Sequence, residues 1–143
     1  MTGSAELQVL ALSDLDTVAR FVDFSCERAG ADADSRFALR LAVEESFSNI
    51  MQHGYGADGG PVTVQLHAQH DRISVTLRDR APAFVPEQVP APDLAASWQQ
   101  RKVGGLGWHL VRQVMDEVSY ERDAEGENVL TLVKYLSGGT IRS

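Results

Sequence analysis

At 143 residues, with 43% hydrophobic and 23% charged residues, the chain fits one globular domain whose core needs no disulfide or metal staple. A net charge of −7 excludes a general nucleic-acid or anionic-membrane surface, but not a nucleotide site, which needs only a few local amides and cations. The single cysteine, Cys26, excludes an intramolecular disulfide. With no signal-like N-terminal run and no bilayer-length apolar stretch, the expectation is a cytoplasmic protein.

Leu7, Val9 and Ala11 alternate with mostly polar neighbours and predict a first strand. Ser13 is the expected N-cap of a first helix in which Leu15, Val18, Val22 and Cys26 recur at helical spacing, and Gly30 ends it. Asp34 is the expected cap of a second helix over residues 35–52, stopped by Gly54. Val62, Val64 and Leu66 predict one strand and Ile73, Val75 and Leu77 the next, joined as a hairpin through His70, Asp71 and Arg72.

Between residues 81 and 103 the periodicity dissolves around Pro82, Pro86, Pro90 and Pro92. So long an irregular connection inside a small domain is a functional loop or a linker. Leu106, Leu110, Val111, Val114, Met115 and Val118 then predict an amphipathic third helix, and two strands follow around a turn at residues 123–126. This order suits an α+β fold, with helices layered on one face of a mostly antiparallel sheet.

Three features carry chemistry. On the second helix Ala38, Ala42, Glu45, Asn49 and His53 follow at intervals of three or four and line one face. Arg40 can pair with Glu44, but Glu45 and Asn49 have no cation at matching spacing, and a solvated polar stripe competes evenly with a site. Asp79 shares the strand parity of Ile73, Val75 and Leu77, so its carboxylate is expected on the core side, where it needs donors; a turn residue is the competing reading. Gly104, Gly105 and Gly107 open the third helix, where free amides and close backbone approach suit an anion, with Arg101 and Lys102 just upstream.

Taken in order, these features resemble a known family. Glu45-x-x-x-Asn49-x-x-x-His53 resembles the N box of the Bergerat, or GHKL, superfamily of gyrase-type ATPases, large heat-shock chaperones and histidine kinases. The run Asp79-Arg80-Ala81-Pro82-Ala83-Phe84 is similar to its first glycine box, and Gly104-Gly105-Leu106-Gly107 to its second. Residues 42–55 and 104–118 are more similar still to anti-sigma-factor serine kinases of the RsbW and SpoIIAB kind, and the likeness runs through nearly the whole chain.

The resemblance implies a single domain over residues 1–143: a two-layer sandwich with helices on one face of a mixed, mostly antiparallel sheet, and an ATP lid at residues 84–103. It implies ATP and Mg²⁺, with Asn49 as the metal ligand and Glu45 as the catalytic base. The nucleotide-contacting set it implies is Asn49, His53, Asp79, Ala81, Phe84, Lys102, Gly104, Gly105, Leu106 and Gly107, with Asp79 accepting from the adenine amino group. The implied partners are a sigma factor and a STAS-domain anti-anti-sigma protein, the latter phosphorylated on serine, and the implied state is a homodimer without nucleic-acid or membrane contact.

The sequence departs from the family in three places. Ala81 stands where the first glycine box has glycine, Gly126-Glu127 replaces a Gly-Thr pair, and Val103 stands where an arginine is expected; Asn128 and Thr131 lie nearby without an assigned role. A nucleotide-binding switch module that transfers no phosphate is therefore the alternative reading. The catalytic domain of a split histidine kinase ranks last, because no phosphoacceptor-histidine helix pair is present.

Overall fold

The structure, a computed structural model, describes residues 3–82 and 106–136; the expected lid lies outside the described residues. Strand β1 (Gly3–Val9) leads through a 3-10 turn (Leu12–Asp14) into helix α1 (Leu15–Arg28) and helix α2 (Ala33–Asn49), which continues as a π-helical segment (Ile50–Tyr55). The hairpin β2 (Val62–Ala68) and β3 (Arg72–Asp79) follows; helix α3 (Leu106–Val114) and the hairpin β4 (Glu117–Arg122) and β5 (Asn128–Tyr135) complete the described chain.

The five strands form one sheet in the order β1-β2-β3-β5-β4, and every neighbouring pair is antiparallel. Alternation then decides which side chains meet the helices. Val62, Val64 and Leu66 on β2 and Ile73, Val75 and Leu77 on β3 are almost wholly buried, and the register sets Val64 opposite Leu77 and Leu66 opposite Val75. Leu130 and Leu132 extend the same face across β5. Above it α2 packs against both α1 and α3, with Leu39, Val43 and Phe47 buried, while Val18, Val22 and Cys26 form the buried stripe of α1. This is the α+β architecture expected from the sequence, with an antiparallel sheet throughout.

Several boundaries differ from expectation for identifiable reasons. The first strand stops at Val9, so Ala11 is not part of it. Ser13 falls within the 3-10 turn, and the carboxylate of Asp14 accepts instead from the amides of Leu10 and Ala11, both at 3.1 Å. Asp32, not Asp34, caps α2, accepting from the Ser35 amide at 3.2 Å. The second helix does not stop at Gly54 but runs through the π-helical segment, where the Gly56 amide reaches back five residues to the Met51 carbonyl at 2.8 Å. Gly56 then turns the chain away at φ 85°, a conformation glycine adopts without strain.

Val118 belongs to β4 and not to the third helix. Pairing with Leu132 on β5 competes successfully with one more helical turn. Lys134 crosses from β5 to donate to the Val114 carbonyl at 3.1 Å, satisfying one of the acceptors left open at the end of α3.

Candidate functional site

The site grows from the end of α2. Glu45 is half-buried and Asn49 buried, 6% exposed, one turn apart on the same face as the buried Ala38 and Ala42. The expected Arg40–Glu44 pair forms at 3.7 Å on the outer side, so it leaves Glu45 without that cation. Burial raises the Glu45 carboxyl above its ordinary 4.5, and the neighbouring charge of Glu44 raises it further. Among the described residues three buried side-chain polar atoms have no hydrogen-bond partner, and two of them, Ser46 Oγ and Asn49 Nδ2, lie beside Glu45 within a single turn. Leaving such atoms unpaired costs about 1–3 kcal/mol each, so this turn holds polar groups that the fold itself does not need.

His53 does not stay in the row. It lies on the π-helical segment, where the wider turn shifts every following side chain out of the 3.6-residue phase, and it is exposed. The same segment performs a different task, joining α2 to the exit of β3. A Cβ placed on Gly54 would lie 2.9 Å from the Ala81 Cβ, closer than such atoms approach, so only glycine lets the two backbones meet. One residue on, the Tyr55 hydroxyl accepts from the Arg80 amide and donates to the Pro61 carbonyl, both at 2.7 Å. The end of the N-box helix and the first glycine-box sequence are thereby held side by side. The methyl that distinguishes Ala81 is buried against Gly54.

Gly54→Ala is therefore expected to destabilise the fold by about 1–3 kcal/mol through overpacking, offset by a helix-propensity gain of up to about 1 kcal/mol. Ala81→Gly should rescue it. Denaturant midpoints of the two single variants and the double variant should give a coupling of about 1 kcal/mol, whereas additivity would show that the contact imposes no constraint.

Asp79 ends β3 on its core-facing side, 5% exposed, in a cross-strand row with Val62 and Asn128. Its Oδ1 accepts from the Asn128 amide Nδ2 at 2.8 Å and from the Ala81 backbone amide at 2.9 Å; neither bond uses Oδ2. Burial pushes the carboxyl above its ordinary 3.8, while these two bonds and the charge of Arg122 pull it down. Asn128 is itself buried; its Nδ2 also donates to the Ala81 carbonyl at 3.0 Å, and its Oδ1 accepts from Arg122 at 2.9 Å. Glu127, at the other departure from the family, turns to Arg78 at 3.5 Å.

Leu106 and Gly107 open α3, whereas Phe84, Lys102, Gly104 and Gly105 lie outside the described residues. Asn128, Arg122, Gly54 and Tyr55 belong to this assembly and were not assigned to it from the sequence. The available signal for Asn128 was its core-facing parity with Leu130 and Leu132, which makes a polar residue there require partners.

An α2 turn with unpartnered polar groups is thus stitched to a buried aspartate at the end of β3, the central strand of the antiparallel sheet. The chain belongs to the histidine kinase-like ATPase domain family, whose model matches residues 9–134. Two relatives are protein kinases by name. Serine/threonine-protein kinase BtrW of Bordetella bronchiseptica is 32% identical over 136 residues, covering 94% of this chain and 94% of that protein. Serine-protein kinase RsbW of Listeria innocua is 29% identical over 115 residues, covering 77% of this chain and 72% of that protein.

Two solved structures share the fold. The crystal structure of the RsbU and RsbW domains of a Mycobacterium tuberculosis protein matches with a TM-score of 0.62 at 20% identity, covering 92% of this chain but 32% of that longer one. A chain of the SiaB-SiaC complex from Pseudomonas aeruginosa matches with a TM-score of 0.61 at 13% identity, covering 89% and 88%. The chain is thus of the RsbW-like kinase kind that its motifs resemble.

Proposed function

We propose that this protein binds Mg-ATP between the end of α2 and the Asp79 row and transfers the γ-phosphoryl group to a serine of a STAS-domain antagonist. In this reading it alternates, as a homodimer, between that antagonist and a sigma factor that it holds inactive. The observation that carries the reading is the buried Asn49 amide, whose Nδ2 has no hydrogen-bond partner among the described residues, one turn from a half-buried Glu45. An amide whose donors are uncommitted can rotate to present its oxygen, a hard ligand of the kind magnesium takes beside phosphate and water. The residues present therefore fit the ion. When bound there, magnesium offsets charge on the phosphate oxygens.

The remaining steps belong to the chain. Glu45 accepts the serine proton as the serine oxygen attacks the γ-phosphorus; the bond from phosphorus to the ADP oxygen breaks, and phosphoserine and ADP result. Burial suits Glu45 to this task, because a carboxylate with a raised pKa is a stronger base than one in water. Asp79 accepts from the adenine amino group. Phosphorylation then adds a charge of about −1.5 to −2 to the antagonist, enough to release it from an overlapping surface and free the kinase for sigma.

The direct test is to incubate the protein with Mg-ATP and a STAS-domain partner and to record intact masses. Gain of one phosphate on the partner is the expected result. A stable nucleotide-dependent complex with no mass change would favour the switch module that transfers no phosphate.

A further inference from the structure

We propose that Asn128, oriented by Arg122, is the positioning residue of the base subsite and sets its preference for a 6-amino purine over a 6-oxo purine. The inference rests on the nucleotide reading above and deepens it. A side-chain amide has two N–H donors and one acceptor oxygen, and Asn128 has all three engaged: Nδ2 donates to Asp79 Oδ1 at 2.8 Å and to the Ala81 carbonyl at 3.0 Å, and Oδ1 accepts from Arg122 at 2.9 Å. With both donors spent inside the protein, Asn128 has none for a ligand. Its effect on a base passes through Asp79.

That effect is orientation. Asp79 Oδ1 already receives two donors, one from Asn128 and one from the Ala81 amide at 2.9 Å, so the carboxylate is fixed about its own axis and Oδ2 is the oxygen left out of this network. An acceptor held in that way favours a base edge that donates, such as the adenine amino group, and opposes one that accepts, such as the guanine carbonyl. Arg122 fixes the direction of the amide: with a guanidinium against its oxygen, Asn128 cannot turn over and present that oxygen to the carboxylate. The row spans three strands, from Asp79 on β3 through Asn128 on β5 to Arg122 on β4, and the ladder sets all three opposite one another. An exposed arginine on the outermost strand thus reaches a buried carboxylate through a single intermediary.

The test uses the full chain, with titrations of Mg-ATP, Mg-GTP and inorganic tripolyphosphate into wild type, Asn128→Leu and Arg122→Gln, and thermal unfolding as the folding control. Asn128→Leu keeps similar bulk and removes every hydrogen bond. The expected result is an ATP affinity lowered about ten-fold, a collapse of the ATP-to-GTP ratio, and tripolyphosphate affinity unchanged within about two-fold. Arg122→Gln should move the ratio the same way by about two- to five-fold, and it decides the matter if Asn128→Leu does not fold. A folded Asn128→Leu that keeps the wild-type ratio, or that loses ATP and tripolyphosphate equally, overturns the positioning role. Wild type that binds none of the three overturns the nucleotide reading itself, and this inference with it.

Discussion

Glu45→Gln should reduce phosphotransfer to the antagonist by about 10²–10⁴-fold while leaving Mg-ATP affinity within about three-fold of wild type. Glutamine keeps the size and the half-buried setting of Glu45 but cannot accept a proton. The loss should therefore fall on turnover and not on binding. The pH dependence should follow the same group. A general base works deprotonated, and burial together with the charge of Glu44 raises this carboxyl above its ordinary 4.5. The acid limb of the wild-type rate profile should accordingly lie above that value, with activity rising as pH increases through it, and the limb should vanish from the residual activity of Glu45→Gln. Equal turnover in the two proteins would remove Glu45 from the chemistry.

Asn49→Ala should abolish nucleotide-induced stabilisation while costing the free protein little. The usual expectation for truncating a buried polar residue is a loss of stability. Here the Nδ2 donor is already unpaired among the described residues, so removing the amide also removes an unsatisfied group worth about 1–3 kcal/mol. In thermal unfolding without ligand, the variant should melt within a few degrees of wild type. A ligand present at about a hundred times its dissociation constant stabilises by about 2.7 kcal/mol, and that upward shift of the wild-type melting temperature with Mg-ATP should be missing from Asn49→Ala. A variant that melts far below wild type without ligand would instead show Asn49 to be a structural residue.

Much of the fold was legible because the apolar positions repeat with the right periods. The alternation of Val62, Val64 and Leu66, and of Ile73, Val75 and Leu77, identifies the central hairpin, and the buried stripe of α1 follows the spacing of Val18, Val22 and Cys26. The boundaries were less legible, since they depend on tertiary partners. Val118 continues the helical period of α3 but pairs with Leu132 in the sheet, and period alone cannot weigh a strand ladder against a further helical turn.

Parity on β3 correctly put Asp79 on the buried face, whereas its partners come from strands distant in the chain, and only the sheet register brings them together. The π-helical segment was invisible for another reason. Its sequence, from Ile50 to Tyr55, reads as ordinary helix, and the wide turn arises where Gly54 and Tyr55 are drawn against Ala81 and Arg80. That local change of phase is why His53, in line with Asn49 by counting, is exposed and out of the row.

In the proposed reading, the turn carrying Glu45 and Asn49, together with the Asp79 row, forms a magnesium-dependent ATP site. Calorimetric titration of ATP into the wild-type protein, once with excess Mg²⁺ and once with chelator, tests it most directly. Saturable one-site binding with magnesium that weakens at least about ten-fold without it is the predicted result. No heat of binding under either condition, with the protein shown to be folded, would contradict it.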